Sequence, residues 1–162
     1  GKELKLVTAN VRRNSPLCLD SKIHHNNLIN NILAKIEANH AGVDDAVMLD
    51  LNGFVAETNA TNIFMTKDGV VLTPFPKACL PGITRGLIID LCKRNNIPIV
   101  EQDISVTQLY NADEVFTSGT MGELARVVEI DNRKIKNTGS YLDKLQSIFR
   151  KLTEREGEKL PF

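Results

Sequence analysis

Short apolar segments separated by tight-turn signals constrain this chain more than any other feature. Asn52-Gly53, Asp68-Gly69 and Asp131-Asn132 each stand between stretches where apolar and polar residues alternate. Asn-Gly and Asp-Gly favour the positive φ that a two-residue hairpin needs. The flanking segments 4–11, 46–49, 54–56, 62–66, 70–73, 99–102, 114–118 and 127–130 read as strands, with 134–135 returning from the last turn. Helical spacing appears in four places. Leu28, Ile29, Ile32, Leu33 and Ile36 recur along one face, with Asn26 or Asn27 as a cap and Gly42 as the stop. Residues 84–95, 105–110 (capped by Ser105) and 141–155 follow. Strands and helices do not alternate regularly, which argues against a doubly wound parallel sheet. The pattern predicts an α+β fold: a curled, barrel-like mixed sheet of about eight strands with helices outside.

Length and charge narrow the function. The chain has 162 residues, enough for one domain with a real core or two very small ones. Lys plus Arg and Asp plus Glu are both 20, so the net charge is zero and a nucleic-acid partner is not expected. No apolar run approaches a membrane span and no secretory leader is visible. Cys18, Cys79 and Cys92 are odd in number and far apart, which suits reduced thiols in the cytoplasm. They and His24, His25 and His40 form no recognisable metal-ligand spacing, so no metal is expected.

Three places could carry chemistry. In Leu80 to Gly86 (LPGITRG) a Pro-Gly turn feeds a helix start where Ile83 and Thr84 could meet a phosphate; the alternative is an ordinary turn with Thr84 as cap. In Thr117 to Glu123 (TSGTMGE) small residues at a strand end let backbone approach a ligand; the alternative is a bulge or a strand-end turn. In Phe54 to Asn62 (FVAETNATN) Glu57 sits among apolar and small neighbours; an interior carboxylate would need a partner, and the alternative is that it faces solvent.

Taken in order, GFVAETNATNIF, DGVVLTPF, CLPGITRG, ADEVFTSGTMGE and VVEID resemble the C-terminal domain of class IV (fold type IV) pyridoxal phosphate enzymes. That group includes branched-chain and D-amino acid aminotransferases and aminodeoxychorismate lyases. The resemblance runs from about residue 4 to 149, and NNILAKIEANHAG leans towards the branched-chain type. It implies pyridoxal 5′-phosphate as cofactor, transamination between a branched-chain-like amino acid and a 2-oxo acid, with the lyase reaction on the same scaffold as the alternative, and a homodimer. It assigns Glu57 to the pyridine nitrogen, Ile83, Thr84 and Thr120 to the phosphate, and the backbone about Thr120 and Met121 to the substrate carboxylate.

The sequence departs from the family at three positions. Anchoring on NNILAK without gaps puts the Schiff-base lysine at Ile23 or His24, and the nearest lysine is Lys22. In an extended stretch Lys22 and His24 share a face about 6–7 Å apart. Either a bulge lets Lys22 carry the cofactor, or His24 has replaced the nucleophile and the chain is a non-catalytic member. Leu28 stands where the family has a Tyr that bonds the cofactor's ring oxygen, a role left to Asn26 or Asn27. Arg126 stands where the family has Pro, as a surface charge or a carboxylate ligand. The resemblance further implies residues 1–152 as the cofactor-binding domain, 153–162 as a charged tail, and a small N-terminal domain lying outside this chain, so that the chain alone is poorly active.

Overall fold

A computed structural model describes residues 3–157. The chain runs β1 (Glu3–Thr8), α1 (Ile29–His40), β2 (Asp45–Leu49), β3 (Val55–Thr58), β4 (Asn62–Lys67), β5 (Val70–Thr73), α2 (Ile83–Arg94), β6 (Ile99–Glu101), α3 (Val106–Tyr110), β7 (Glu114–Gly119), β8 (Glu123–Ile130), β9 (Arg133–Lys134) and α4 (Tyr141–Glu156). The strands form one mixed sheet in the order β3-β2-β1-β8-β7-β4-β5-β6, with β9 paired to β8. β1 pairs parallel with both β2 and β8, and β5 pairs parallel with β6; the other pairs are antiparallel.

Chain connectivity forces this sheet to curl. β3 ends at Thr58 and β4 begins at Asn62, yet the two strands stand five places apart in the sheet. A flat sheet would separate them by about 24 Å, whereas the connecting residues span at most about 14 Å. The sheet therefore rolls until its ends meet. The Val55 amide donates to the Ile104 carbonyl at 2.8 Å, and Phe54 bridges to Ser105, so the chain after β6 closes against β3.

Period-two alternation then sorts side chains to the two faces. Leu4, Leu6, Val47, Ile63, Met65, Val115 and Val127 fill the interior. Their sequence neighbours face outward: Phe64 and Phe116 stack at 5.1 Å between centroids under α2 and α4, and Ala46 and Met48 lie under Ala34 and Ala38 of α1.

Local differences from the sequence reading have physical causes. The Asp131-Asn132 turn forms as expected, with φ of 50° and 61°. Ser105 caps α3 in a complete capping box with Gln108. β1 stops at Thr8, short of residue 11. α1 starts at Ile29 behind Leu28, which offers no side-chain cap, so neither Asn26 nor Asn27 has that role. α4 continues through Glu156, so the first residues of the 153–162 stretch are helical; 158–162 lie outside the described residues. The start of α4 is capped from a distance: the Tyr141 and Leu142 amides donate to the buried Glu114 carboxylate at 3.1 and 3.4 Å.

Candidate functional site

The site begins with a bulge. β2 and β3 pair Val47 with Thr58 and Met48 with Glu57, but Leu49 with Val55, leaving Ala56 as an extra residue. This slip keeps Val55 in the barrel interior and turns Glu57 to Met48's face, under the start of α1. Glu57 is 5% exposed, so the solvent-facing alternative does not hold. A buried carboxylate needs a counter-charge, and Arg13 supplies it at 2.8 Å.

Arg13 is a site residue that the sequence reading missed. Its guanidinium donates from Nε to the Ala78 carbonyl at 3.1 Å, and to Asn30 and Asn31 Oδ1 at 2.7 and 3.0 Å. It therefore ties the segment after β1, the loop before α2, the start of α1 and β3 into one buried knot. A pair of arginines ahead of a proline was the only signal, and nothing local says which of the two points inward. Burial pushes the Glu57 carboxyl up to about 7, with Arg13 opposing the rise.

The second part is the turn into α2. Gly82 precedes the helix with φ of 61°, and a Cβ there would sit 2.0 Å from Asn62 Oδ1, so only glycine fits. Asn62 Nδ2 donates to the Leu80 carbonyl at 2.9 Å, and the buried Arg85 donates to the Pro74 carbonyl at 2.8 Å, which fixes the turn from both sides. Thr84 is not the cap: Gly82 holds that position, and the helix start has no side-chain cap. The leading amides of a helix lack intrahelical partners and favour an anion. The third part is the end of β7, where Ser118 Oγ is buried and has no partner among the described residues.

These parts line one cleft of about 580 Å³, which Lys22, His24, Glu57, Ile83, Thr84 and Thr120 share with Ser118. Met121 does not line it and is fully exposed. Lys22 Nζ pairs with Asp20 at 2.8 Å and is partly exposed. Burial pushes the Cys79 thiol up to about 12, which leaves it unsuited as a nucleophile. Arg126 is neither a free surface charge nor a cleft residue; it pairs with Asp143 at 2.5 Å and faces Glu114 at 3.7 Å, joining β8 to α4. Among the described residues no His, Cys, Asp or Glu cluster is arranged to hold a metal.

A carboxylate with its own cation, an uncapped helix start and an orphaned hydroxyl in one cleft fit a ligand with a basic ring nitrogen at one end and a phosphate at the other. A family model described as Amino-transferase class IV matches residues 1–130. The chain belongs to the class IV aminotransferase family. Within that family it is 57% identical over 96% of its length to a "Branched-chain-amino-acid aminotransferase-like protein 2" of Arabidopsis thaliana, covering 28% of that protein. It is 41% identical over 97% of its length to a "Putative branched-chain-amino-acid aminotransferase" of Methanocaldococcus jannaschii, covering 56% of it. Among solved structures, a class IV relative from Thermoproteus uzoniensis, a branched-chain aminotransferase with norvaline, matches at a TM-score of 0.92 and 31% identity, over 97% of this chain and 53% of that one. A branched-chain aminotransferase with pyridoxamine 5′-phosphate matches at 0.89 and 34%, over 95% and 53%. The chain thus spans about half the length of these solved relatives, and its curled mixed sheet is that of the class IV fold.

Proposed function

We propose that this chain is the cofactor-holding domain of a pyridoxal 5′-phosphate-dependent aminotransferase that moves an amino group between a branched-chain-like amino acid and a 2-oxo acid. The observation that carries the reading is the single cleft lined by Glu57, the α2 start and Ser118 to Thr120. When bound, the cofactor supplies an electron sink for the pair left on the amino acid's α carbon when its proton departs.

The residues divide the work. Glu57 holds a proton on the ring nitrogen, and Arg13 keeps the Glu57 carboxylate turned to the task. The Ile83 and Thr84 amides and the Thr84, Ser118 and Thr120 hydroxyls bind the phosphate. Lys22 Nζ would hold the cofactor and, as a free amine, would carry the proton between the substrate's α carbon and the adjoining carbon of the cofactor. The backbone about Thr120 and Met121 receives the substrate carboxylate. The names of the relatives favour transamination over the lyase reading.

The same proposal covers the wider protein. Residues 1–152 act as the cofactor-binding domain, and full activity needs the further domain for which longer relatives have room. Free Cys18, Cys79 and Cys92 suit the cytoplasm, and no described helix is long and apolar enough to cross a membrane. The partner is a second copy. Ile29, Ile32, Leu33 and Ile36 lie exposed along α1, while the helix's charges are turned aside: Lys35 bonds Asp44 and Asp45, and Glu37 accepts from the Asn10 and Val11 amides. An uncharged stripe is self-complementary, and with Leu28 it offers on the order of 500 Å² per copy, near the lower bound for a specific interface when doubled.

Borohydride reduction in the presence of pyridoxal 5′-phosphate, followed by peptide mapping, tests the chemistry. A label on Lys22 is expected. A label on another lysine keeps the cofactor and overturns this assignment. Cofactor binding without any label overturns the enzyme reading in favour of a non-catalytic member with His24 in the lysine's place.

A further inference from the structure

A smaller hollow of about 260 Å³ adjoins the cofactor cleft. His24, Glu57, Ala60 and Leu80 line both spaces, but none of Gly82, Ile83, Thr84, Ser118 and Thr120 reaches the hollow. Its further walls include Ser21, Ile23, His25 and Leu28. Two of these bring buried polar atoms with no partner among the described residues, Ser21 Oγ and His25 Nδ1. Ser21 is 4% exposed. A buried hydroxyl left unpaired costs about 1–3 kcal/mol, and nothing in the fold explains why this one is retained.

We infer that the hollow takes the ring edge of pyridoxal 5′-phosphate, with Ser21 as hydrogen-bond donor to the ring oxygen and His25 beside it. This rests on the cofactor reading above. The phosphate arm leaves the pyridine ring directly across from the methyl-bearing carbon, and the hydroxyl-bearing carbon is that carbon's neighbour. With the phosphate at the α2 start and the ring nitrogen at Glu57, the methyl and hydroxyl edge faces away from the α2 start. The hollow borders Glu57 and touches none of Gly82, Ile83 and Thr84, which makes it the space open to that edge. Ile23 and Leu28 suit the methyl group, and the two orphaned polar atoms suit the oxygen. Asn26 and Asn27, the substitutes suggested by the sequence, line neither space. Ser21 thus restores from the preceding loop a contact that Leu28 cannot make.

The test compares Ser21→Ala with the unaltered chain by equilibrium titration against two ligands, pyridoxal 5′-phosphate and its 3-deoxy analogue, which lacks the ring hydroxyl. Losing one hydrogen bond should weaken the cofactor about fivefold to tenfold, while both proteins bind the analogue alike. The urea midpoint of Ser21→Ala should be no lower than that of the parent, because its hydroxyl has no partner to lose. Equal weakening of both ligands, no weakening of either, or a lowered midpoint overturns the role of Ser21 and leaves the cofactor reading standing. An unaltered chain that binds neither ligand overturns both.

Discussion

Replacing Arg13 with Met should destabilise the chain by an amount that grows with pH. The substitution keeps the apolar stem and removes the guanidinium, which contacts Ala78, Asn30, Asn31 and Glu57. Two costs separate. The first is independent of pH: the Ala78 carbonyl and two amide oxygens lose donors, about 1 kcal/mol each, or about 3 kcal/mol together. The second belongs to Glu57, whose carboxyl already titrates near 7 in the intact fold because of burial, with Arg13 holding it down. Without Arg13 it moves higher. At pH 6 the folded carboxyl is protonated in both proteins and no charge is stranded. Above pH 7 the parent ionises against Arg13 while the variant resists, so the gap widens by about 1.4 kcal/mol per pH unit. Urea unfolding should give a difference of about 3 kcal/mol at pH 6 and about 5 kcal/mol at pH 8.5. Adding Glu57→Gln should abolish the widening. A difference that is flat or shrinks with pH would mean that Arg13 does not act on the charged form of Glu57.

Three further outcomes follow from the fold. Gly82→Ala should cost about 2–3 kcal/mol in thermal unfolding, because the turn needs φ of 61° and the methyl would strike Asn62; a neutral result would mean that the turn does not hold this shape. Glu114→Ala should cost about 3 kcal/mol and speed amide exchange at Tyr141 and Leu142, since both amides and Thr66 lose their acceptor. Ile32→Glu with Ile36→Glu should shift sedimentation from dimer to monomer while circular dichroism stays unchanged; a dimer that persists removes α1 from the interface.

Much of the fold was legible because its signals are local. The Asn52-Gly53, Asp68-Gly69 and Asp131-Asn132 turns, the Ser105 cap and the alternation through Ile63, Phe64 and Met65 depend on neighbours in sequence. Curling was legible only as a class. Its cause, that three residues join β3 to a strand five places away, appears once the pairing order is known. The site divides in the same way. Glu57, Ile83, Thr84 and Thr120 lie in readable motifs and meet in one cleft. Arg13 was invisible because its partners, Asn30, Glu57 and Ala78, are 17 to 65 residues away. Glu114 likewise reads as an ordinary strand residue until α4 packs on it. The bulge at Ala56 could not be predicted from alternation, because it breaks alternation.

An amide chemical-shift titration of the 162-residue chain with pyridoxal 5′-phosphate asks whether this cleft holds the cofactor. Saturable changes should concentrate at Glu57, Ile83, Thr84, Gly119 and Thr120, with inorganic phosphate moving the last four and leaving Glu57 in place. Changes centred elsewhere on the surface, or a spectrum that does not respond, would contradict the cofactor reading.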